Sequence, residues 1–78
     1  MHKPKPRTEF ANYDDEMEHT LDCLCWLQAE KMSLDLGMST EDCADEIKMM
    51  LIIGRLEFQF DETGDRCRLM PAPSTAEH

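Results

Sequence analysis

The chain has 78 residues, which allows one small domain, and a chain of this size buries only about 60% of the surface that its unfolded form exposes. Seventeen Asp and Glu stand against eight Lys and Arg, for a formal net charge of −9, which disfavours phosphate backbones as partners and favours basic surfaces. Three of the cations lie in the leader MHKPKPR, so residues 8–78 hold 5 cations and 17 acidic groups, a net charge of −12.

Both ends of the chain are predicted to lack fixed structure. Residues 1–8 alternate prolines with cations, residues 71–78 have the sequence PAPSTAEH, and neither segment has an apolar anchor. They flank a single predicted domain at residues 9–70. The longest apolar runs are too short for a secretion signal or a membrane span. We therefore expect a cytoplasmic protein with no membrane partner, in the host cell cytoplasm if a phage encodes it.

A first helix is predicted to begin near Asp14, where three consecutive acidic residues favour the positive end of the helix dipole and Asn12 or Asp14 can act as the cap. Residues at helical spacing then define one predicted inner face. This face comprises Met17, Leu21, Leu24, Cys25, Gln28 and Met32. Residues 33–36 either continue the helix or form a short second one, and Gly37 suits the left-handed position after a helix end.

A further helix is predicted to begin at Ser39 or Thr40, either of which can cap it, with two acidic residues in its first turn. Gly54 is predicted to end it. Its inner face is predicted to comprise Cys43, Ile47, Met50 and Leu51.

After Gly54 the apolar period changes to two, which predicts a β-hairpin with a turn at residues 61–64. A four-residue loop predicts a register that joins apolar residues on one face and Glu57 with Arg68 on the other. The predicted pairs are Phe60–Asp65, Gln59–Arg66, Phe58–Cys67, Glu57–Arg68 and Leu56–Leu69. Pro71 and Pro73 are expected to end the sheet.

The segment LGMSTEDCADEIKMMLIIGRLEF, residues 36–58, resembles the core of the winged helix-turn-helix family. It contains a turn of the Leu-Gly-apolar-Ser type, a helix, an apolar pair, a glycine and the first strand of a wing. The resemblance covers about residues 29–70 and implies an α+β fold, winged-helix-like, in which two or three helices are followed by a C-terminal β-hairpin. In that family the helix after the turn enters the major groove of DNA.

The positions that would face the groove carry acid in this chain. They are Glu41, Asp42, Asp45 and Glu46, with Lys48 as the nearby cation. Four carboxylates repel a phosphate-lined groove, which argues against nucleic acid as the partner. The alternative of a winged-helix DNA-binding regulator would depend on the basic leader and on Arg66 and Arg68 in the wing.

The sequence indicates neither catalysis nor a cofactor. His19 is the only histidine outside the terminal segments, and no Ser-His-acid set or phosphate-binding glycine loop stands out. His19 and Cys23 have a spacing that zinc sites use. The cysteines at positions 23, 25, 43 and 67 are nevertheless interpreted as reduced packing residues without a metal.

The favoured hypothesis is a small acidic non-catalytic protein that binds a protein partner with a basic surface, as a DNA-mimic inhibitor of a nucleic-acid-handling complex. In size and charge alone it resembles small acidic phage inhibitors, anti-CRISPR proteins among them. The alternative is a structural or regulatory adaptor, or a homodimer formed through the first helix or residues 49–53. The candidate partner-binding residues are Asp15, Glu18, Asp22, Trp26, Glu41, Asp42, Asp45, Glu46, Met49 and Ile53.

Overall fold

The computed structural model describes residues 1–73 and contains two helices followed by a two-stranded antiparallel sheet. The elements are α1 (Tyr13–Leu36), α2 (Thr40–Ile52), β1 (Leu56–Phe60) and β2 (Cys67–Pro71). This arrangement confirms the predicted α+β fold class of helices followed by a C-terminal hairpin. The chain divides into two compact units, Met1–Lys48 and Met49–His78.

Of the two predicted terminal segments, the leader lies within the described residues and the tail lies partly outside them. The leader contacts acidic groups of both helices. The predicted flexible tail at 71–78 lies outside the described residues from position 74 onward. Before that point, Pro71 is the last residue of β2, and the Ala72 N–H donates to the Arg55 carbonyl oxygen at 3.0 Å.

Helix α1 is one continuous helix, which decides the question left open at residues 33–36. Asn12 has an extended backbone, and its side-chain oxygen accepts a hydrogen bond from the Asp15 N–H at 2.8 Å, so Asn12 is the N-cap. Gly37 ends the helix at φ 66°, and the Met38 N–H donates to the Ser33 carbonyl oxygen at 3.0 Å. No proline or glycine interrupts the chain between these two signals.

The buried residues of the first unit are mostly small. They are Cys25, Ala29 and Ser33 on α1, and Cys43, Ala44 and Ile47 on α2. The three residues of α1 are spaced by four, which places them on one helix face. Of the predicted inner face of α1, only Cys25 is fully buried, and Met17 is 48% exposed. So small a core contributes little hydrophobic stabilisation.

Helix α2 is capped by Ser39, whose hydroxyl oxygen accepts a hydrogen bond from the Asp42 N–H at 3.1 Å. The Cys43 N–H donates to the Ser39 carbonyl oxygen at 2.9 Å, which closes the first turn. Ser39, rather than Thr40, is therefore the cap. At the other end, Gly54 adopts φ 80°, and the Arg55 N–H donates to the Met50 carbonyl oxygen at 2.9 Å.

The hairpin forms where it was predicted, but the predicted register is wrong by two residues. Phe58 lies opposite Leu69 instead of Cys67, and Phe60 lies opposite Cys67 instead of Asp65. A shift of two keeps every side chain on its predicted face. It changes the cross-strand partners: Glu57 lies opposite Met70, and Gln59 lies opposite Arg68.

The shift has its cause in the turn, where Asp61 organises the chain reversal. Its Oδ1 atom accepts hydrogen bonds from the Thr63 hydroxyl at 2.9 Å, the Asp65 N–H at 3.1 Å and the Arg66 N–H at 3.4 Å. The Asp61 N–H also donates to the Arg66 carbonyl oxygen at 2.9 Å. Asp61 therefore pairs with Arg66, and the loop covers residues 62–65 instead of 61–64. Moving the centre of the turn by one residue moves the partner of each β1 residue by two.

Candidate functional site: the acidic face of α2

Four carboxylates cover one side of α2. They belong to Glu41, Asp42, Asp45 and Glu46, and all four residues are exposed. At 100° per residue they span an arc of about 140° around the helix axis. We call this group the acidic face. It lies opposite the buried side of the same helix, formed by residues 43, 44 and 47, and the packing of the helix therefore turns all four carboxylates towards solvent.

The nearest cation of the helix does not neutralise the acidic face. The Lys48 ammonium is 2.7 Å from Asp22 Oδ1 on α1, and both side chains are about three-quarters buried. The hydrogen bond to Asp22, opposed by burial, raises the pKa of Lys48 above its ordinary value. Lys48 is therefore paired with Asp22 on α1, and the acidic face keeps its negative charge.

The leader supplies the groups that do contact the acidic face. The Met1 amino nitrogen is 2.7 Å from Asp45 Oδ1, and the imidazole of His2 is 3.9 Å from a Glu41 carboxylate oxygen. The two acidic side chains stay more than half exposed in these contacts. Asp42 and Glu46 have no ion-pair partner among residues 1–73.

The predicted acidic residues of α1 have different environments. Asp15 accepts a hydrogen bond from the Arg7 guanidinium at 2.8 Å and another from the Ala11 N–H at 3.0 Å. These two bonds, that of Arg7 first, lower the pKa of the Asp15 carboxyl. Asp22 is held by Lys48, whereas Glu18 is exposed. Two of the three predicted acidic residues of α1 are therefore engaged within the chain.

Trp26 is half-buried and lines a groove of about 210 Å³. Its indole N–H is enclosed and has no hydrogen-bond partner in the described part of the chain. The other residues of the groove are Lys3, Pro4, Cys23, Leu27 and Glu30. The indole ring is therefore only partly available to an external partner.

The predicted apolar contact residues Met49 and Ile53 belong to the second unit. They are 59% and 55% exposed, and Ile52 beside them is 72% exposed. Three exposed large apolar side chains within five residues form an apolar edge. The apolar edge therefore consists of Met49, Ile52 and Ile53.

The wing arginines lie at the hairpin. Together with Gln59, Phe60, Asp61 and Cys67, Arg66 and Arg68 line a groove of about 300 Å³. Both arginines are exposed. Hydrogen bonds from the Thr63 hydroxyl first, and then from backbone N–H groups of the turn, lower the pKa of the Asp61 carboxyl. A carboxylate therefore lines the same groove as the two arginines.

His19 and Cys23 do approach each other, with 3.6 Å between His19 Nε2 and Cys23 Sγ. Within the described residues, no cluster of three or more His, Cys, Asp or Glu is arranged to hold a metal ion. Neither helix combines the length and apolar character that a membrane span requires, in the part of the chain that the structure describes.

Comparisons with known proteins return no match: no protein family matches the chain, and neither does any curated protein or solved structure. The winged-helix resemblance and the similarity in composition to small acidic phage inhibitors therefore stay predictions.

Proposed function

We propose that this is a non-catalytic, cofactor-free binding protein whose acidic face occupies a basic, nucleic-acid-binding surface of a protein partner. The observation that carries the proposal is the exposed set of four carboxylates on one side of α2, with the nearby cation Lys48 held by Asp22. Such a protein would inhibit a nucleic-acid-handling complex in the cytoplasm, in the manner of phage anti-defence proteins.

Charge density supports DNA mimicry over a general acidic character. From Glu41 to Glu46 the helix axis rises about 7.5 Å. Double-stranded DNA carries about four phosphate charges over that length, and the acidic face carries four carboxylates. A channel lined with Lys and Arg therefore meets a similar number of negative charges on either ligand.

The contacts of the leader also support a positively charged surface as the partner of the acidic face. An amino group and an imidazole, both from a basic segment of the chain itself, lie against Asp45 and Glu41. Contacts in which the carboxylate stays more than half exposed, as in Asp45 and Glu41, contribute little to stability. A partner with a rigid array of cations can therefore displace them.

Competition with DNA tests the proposal. Purified nucleic-acid-handling proteins, CRISPR effector complexes among them, are loaded with labelled duplex DNA and titrated with the protein while anisotropy is recorded. We expect displacement from at least one of them, with an apparent affinity that falls steeply between about 50 and 200 mM salt, as for ligands that make several charge contacts.

A matched pair of variants separates the acidic face from net charge. One variant changes Glu41, Asp42, Asp45 and Glu46 to Lys, and the control changes the exposed residues Glu30, Asp35, Glu62 and Asp65 to Lys. Both variants shift the net charge equally. Loss of displacement in the first variant alone supports the proposal, whereas equal loss in both, or no displacement by the wild type, contradicts it.

Direct DNA binding is the outcome that would reverse this assignment. Fluorescence anisotropy of a labelled random duplex at low salt gives non-specific binding its best chance. We expect no change in anisotropy, because the acidic face repels phosphate. Micromolar binding that disappears when residues 1–7 are removed, or when Arg66 and Arg68 are changed to Ala, would instead support a DNA-binding regulator.

The apolar edge favours a second candidate function, an adaptor or homodimer. Three exposed apolar side chains in the second unit are a feature of protein interfaces. Sedimentation equilibrium tests self-association. If this function is correct, Ile53→Asp abolishes association that is insensitive to salt, and Leu34→Asp, at an 89% exposed position of α1, leaves it intact.

A further inference from the structure

Cys23 and His19 form a pair on α1 that the proposed function does not use. They lie four residues apart, which places them on the same side of the helix. The Cys23 Sγ is 3.6 Å from His19 Nε2, within hydrogen-bonding distance for sulfur. Both residues are half-buried, and Cys23 lines a groove.

Neighbouring aromatic contacts hold the imidazole beside the sulfur. The Phe10 ring packs against His19 with 5.5 Å between the ring centroids. The Arg7 guanidinium in turn lies 4.9 Å from the centroid of Phe10, and Arg7 is anchored to Asp15 at 2.8 Å. His19 is therefore positioned by the segment that precedes α1 as well as by the helix.

The thiol opens onto a groove that can receive a small polar molecule. Cys23 lines the groove of about 210 Å³ described above, together with Lys3, Trp26, Leu27 and Glu30 among others. An ammonium and a carboxylate thus flank an apolar wall. A ligand that carries both an amino group and a carboxylate finds a partner of opposite charge for each.

The other three thiols lack this environment. Cys25 and Cys43 are 0% and 1% exposed, and burial raises the pKa of both, that of Cys25 to about 11. Buried thiols of raised pKa are poor nucleophiles. Cys67 is half-buried like Cys23, but the thiol–imidazole contact is found only at Cys23 among the described residues.

We propose that Cys23 is a site of reversible modification by a low-molecular-weight disulfide of the glutathione type, with His19 as the base that receives the thiol proton. The proton moves from Cys23 Sγ to His19 Nε2, and the thiolate attacks one sulfur of the disulfide. A new S–S bond forms at Cys23 while the S–S bond of the reagent breaks. The departing thiolate takes the proton back from the imidazolium, so Cys23 is oxidised and the released half is reduced.

Oxidised glutathione is the probe for the test. The folded, reduced full-length protein is incubated with it near pH 7, quenched with acid and mapped by peptide mass spectrometry. We expect the mixed disulfide to form at Cys23 at least about tenfold faster than at Cys67, since a positioned base contributes a hundredfold or more in many systems. Cys25 and Cys43 stay unmodified while the protein is folded. Equal rates at Cys23 and Cys67 would overturn the proposal.

His19→Gln separates the role of the base from simple accessibility. Glutamine keeps a polar side chain next to the sulfur but does not accept the proton at neutral pH, so the rate at Cys23 should fall close to that at Cys67. Cys67→Ser is the matched control and leaves the Cys23 rate unchanged. An unchanged rate in His19→Gln contradicts the proposal.

A measurement on the wild-type protein covers the case in which His19→Gln fails to fold. In concentrated urea the helix no longer holds His19 at Cys23, and all four cysteines should react at similar rates. A preference for Cys23 that persists in urea would show that local sequence, and not the folded contact, causes the selectivity, and the proposal would then be wrong.

Discussion

Cys25 shows how burial determines the chemistry of a single residue. Its side chain is completely enclosed on α1, and burial, assisted by the negative charge of Asp22, raises the pKa of its thiol to about 11 from an ordinary value of 9.0. The neutral thiol is the form that the folded protein stabilises. Cys25 therefore behaves as an apolar core residue at neutral pH.

This burial predicts a loss of stability at alkaline pH. The unfolded chain loses the Cys25 proton near pH 9, before the folded protein does, so the stabilisation is complete below about pH 9 and is lost as the pH rises towards 11. Cys25→Ala should flatten this decline in the free energy of unfolding, measured by urea denaturation at pH 8, 9 and 10.

The control for this prediction changes the core without removing a titratable group. Ile47→Val, at a 4% exposed position of α2, is expected to lower the free energy of unfolding by about 1 kcal/mol at every pH and to keep the wild-type slope. A Cys25→Ala protein with the wild-type slope would contradict the assignment of the decline to this thiol.

At the level of the elements, the Lys48–Asp22 pair links α2 to α1. The ammonium and carboxylate are 2.7 Å apart, and 26% and 27% of the respective side chains are exposed. Partial burial strengthens the attraction between the two charges but also adds a desolvation cost. Removing one partner is costly because it leaves the other charge behind.

A double-mutant cycle measures the strength of this link. The single variants Lys48→Met and Asp22→Leu and their combination are compared by urea denaturation, and we expect a coupling energy of about 1 kcal/mol. Lys48→Met alone should destabilise more than the double variant, because it leaves the Asp22 carboxylate, about three-quarters buried, without its cation. A coupling energy near zero would mean that the two groups do not depend on each other.

The turn of the hairpin sets the pairing of β1 and β2. Asp61 accepts hydrogen bonds from Thr63, Asp65 and Arg66 and pairs with Arg66 through the backbone. These bonds fix where the chain reverses, and the reversal fixes the register of both strands.

Asp61→Ala is expected to loosen the hairpin without unfolding the helices. The amide protons of Asp65 and Arg66 lose their acceptor and should exchange faster with deuterium, while those of α1 keep the wild-type rate. The cross-strand contact between Phe58 and Leu69 should weaken in NMR spectra. Glu62→Ala, at an exposed position of the same turn, is the control; an equal effect in both variants would contradict the role given to Asp61.

At the level of the whole molecule, negative charge dominates. Residues 8–78 carry a net charge of −12, and like charges on a small protein repel each other in the folded state more than in the expanded one. The described residues contain four salt bridges, all in the first unit. These pairs offset only part of the repulsion.

Salt is therefore expected to stabilise the protein. Raising NaCl from about 10 mM to about 200 mM shortens the Debye length from about 30 Å to less than 10 Å, which screens the repulsion between carboxylates. The thermal unfolding midpoint, followed by circular dichroism, should rise. The charge-reversed variant of the acidic face, with less repulsion to screen, should show a smaller rise. A midpoint that falls with salt would indicate that the salt bridges outweigh the repulsion.

The sequence by itself determined the elements, because their signals are local. Asn12 and Gly37 delimit α1, Ser39 caps α2, and the period-two alternation of Leu56, Phe58 and Phe60 marks β1. Each of these signals acts over a few residues of chain. The exposure of the four carboxylates of α2 was predictable for the same reason, since they lie opposite the apolar side of their own helix.

Only the tertiary structure decided what depends on contacts between distant residues. It made Ala29 and Ser33 core positions, although neither belongs to the predicted inner face. It placed Asp15 against Arg7 and Asp22 against Lys48. These contacts distinguish them from Asp42 and Glu46 of α2, which have no ion-pair partner among residues 1–73. The hairpin register was also decided in the folded turn, by bonds of Asp61 that span two to five residues and that the alternation of the strands does not indicate. The periodicity and propensity of a segment indicate which of its residues prefer to be buried or paired. Burial and pairing, however, depend on two segments together. The partner segment is determined only when the chain folds.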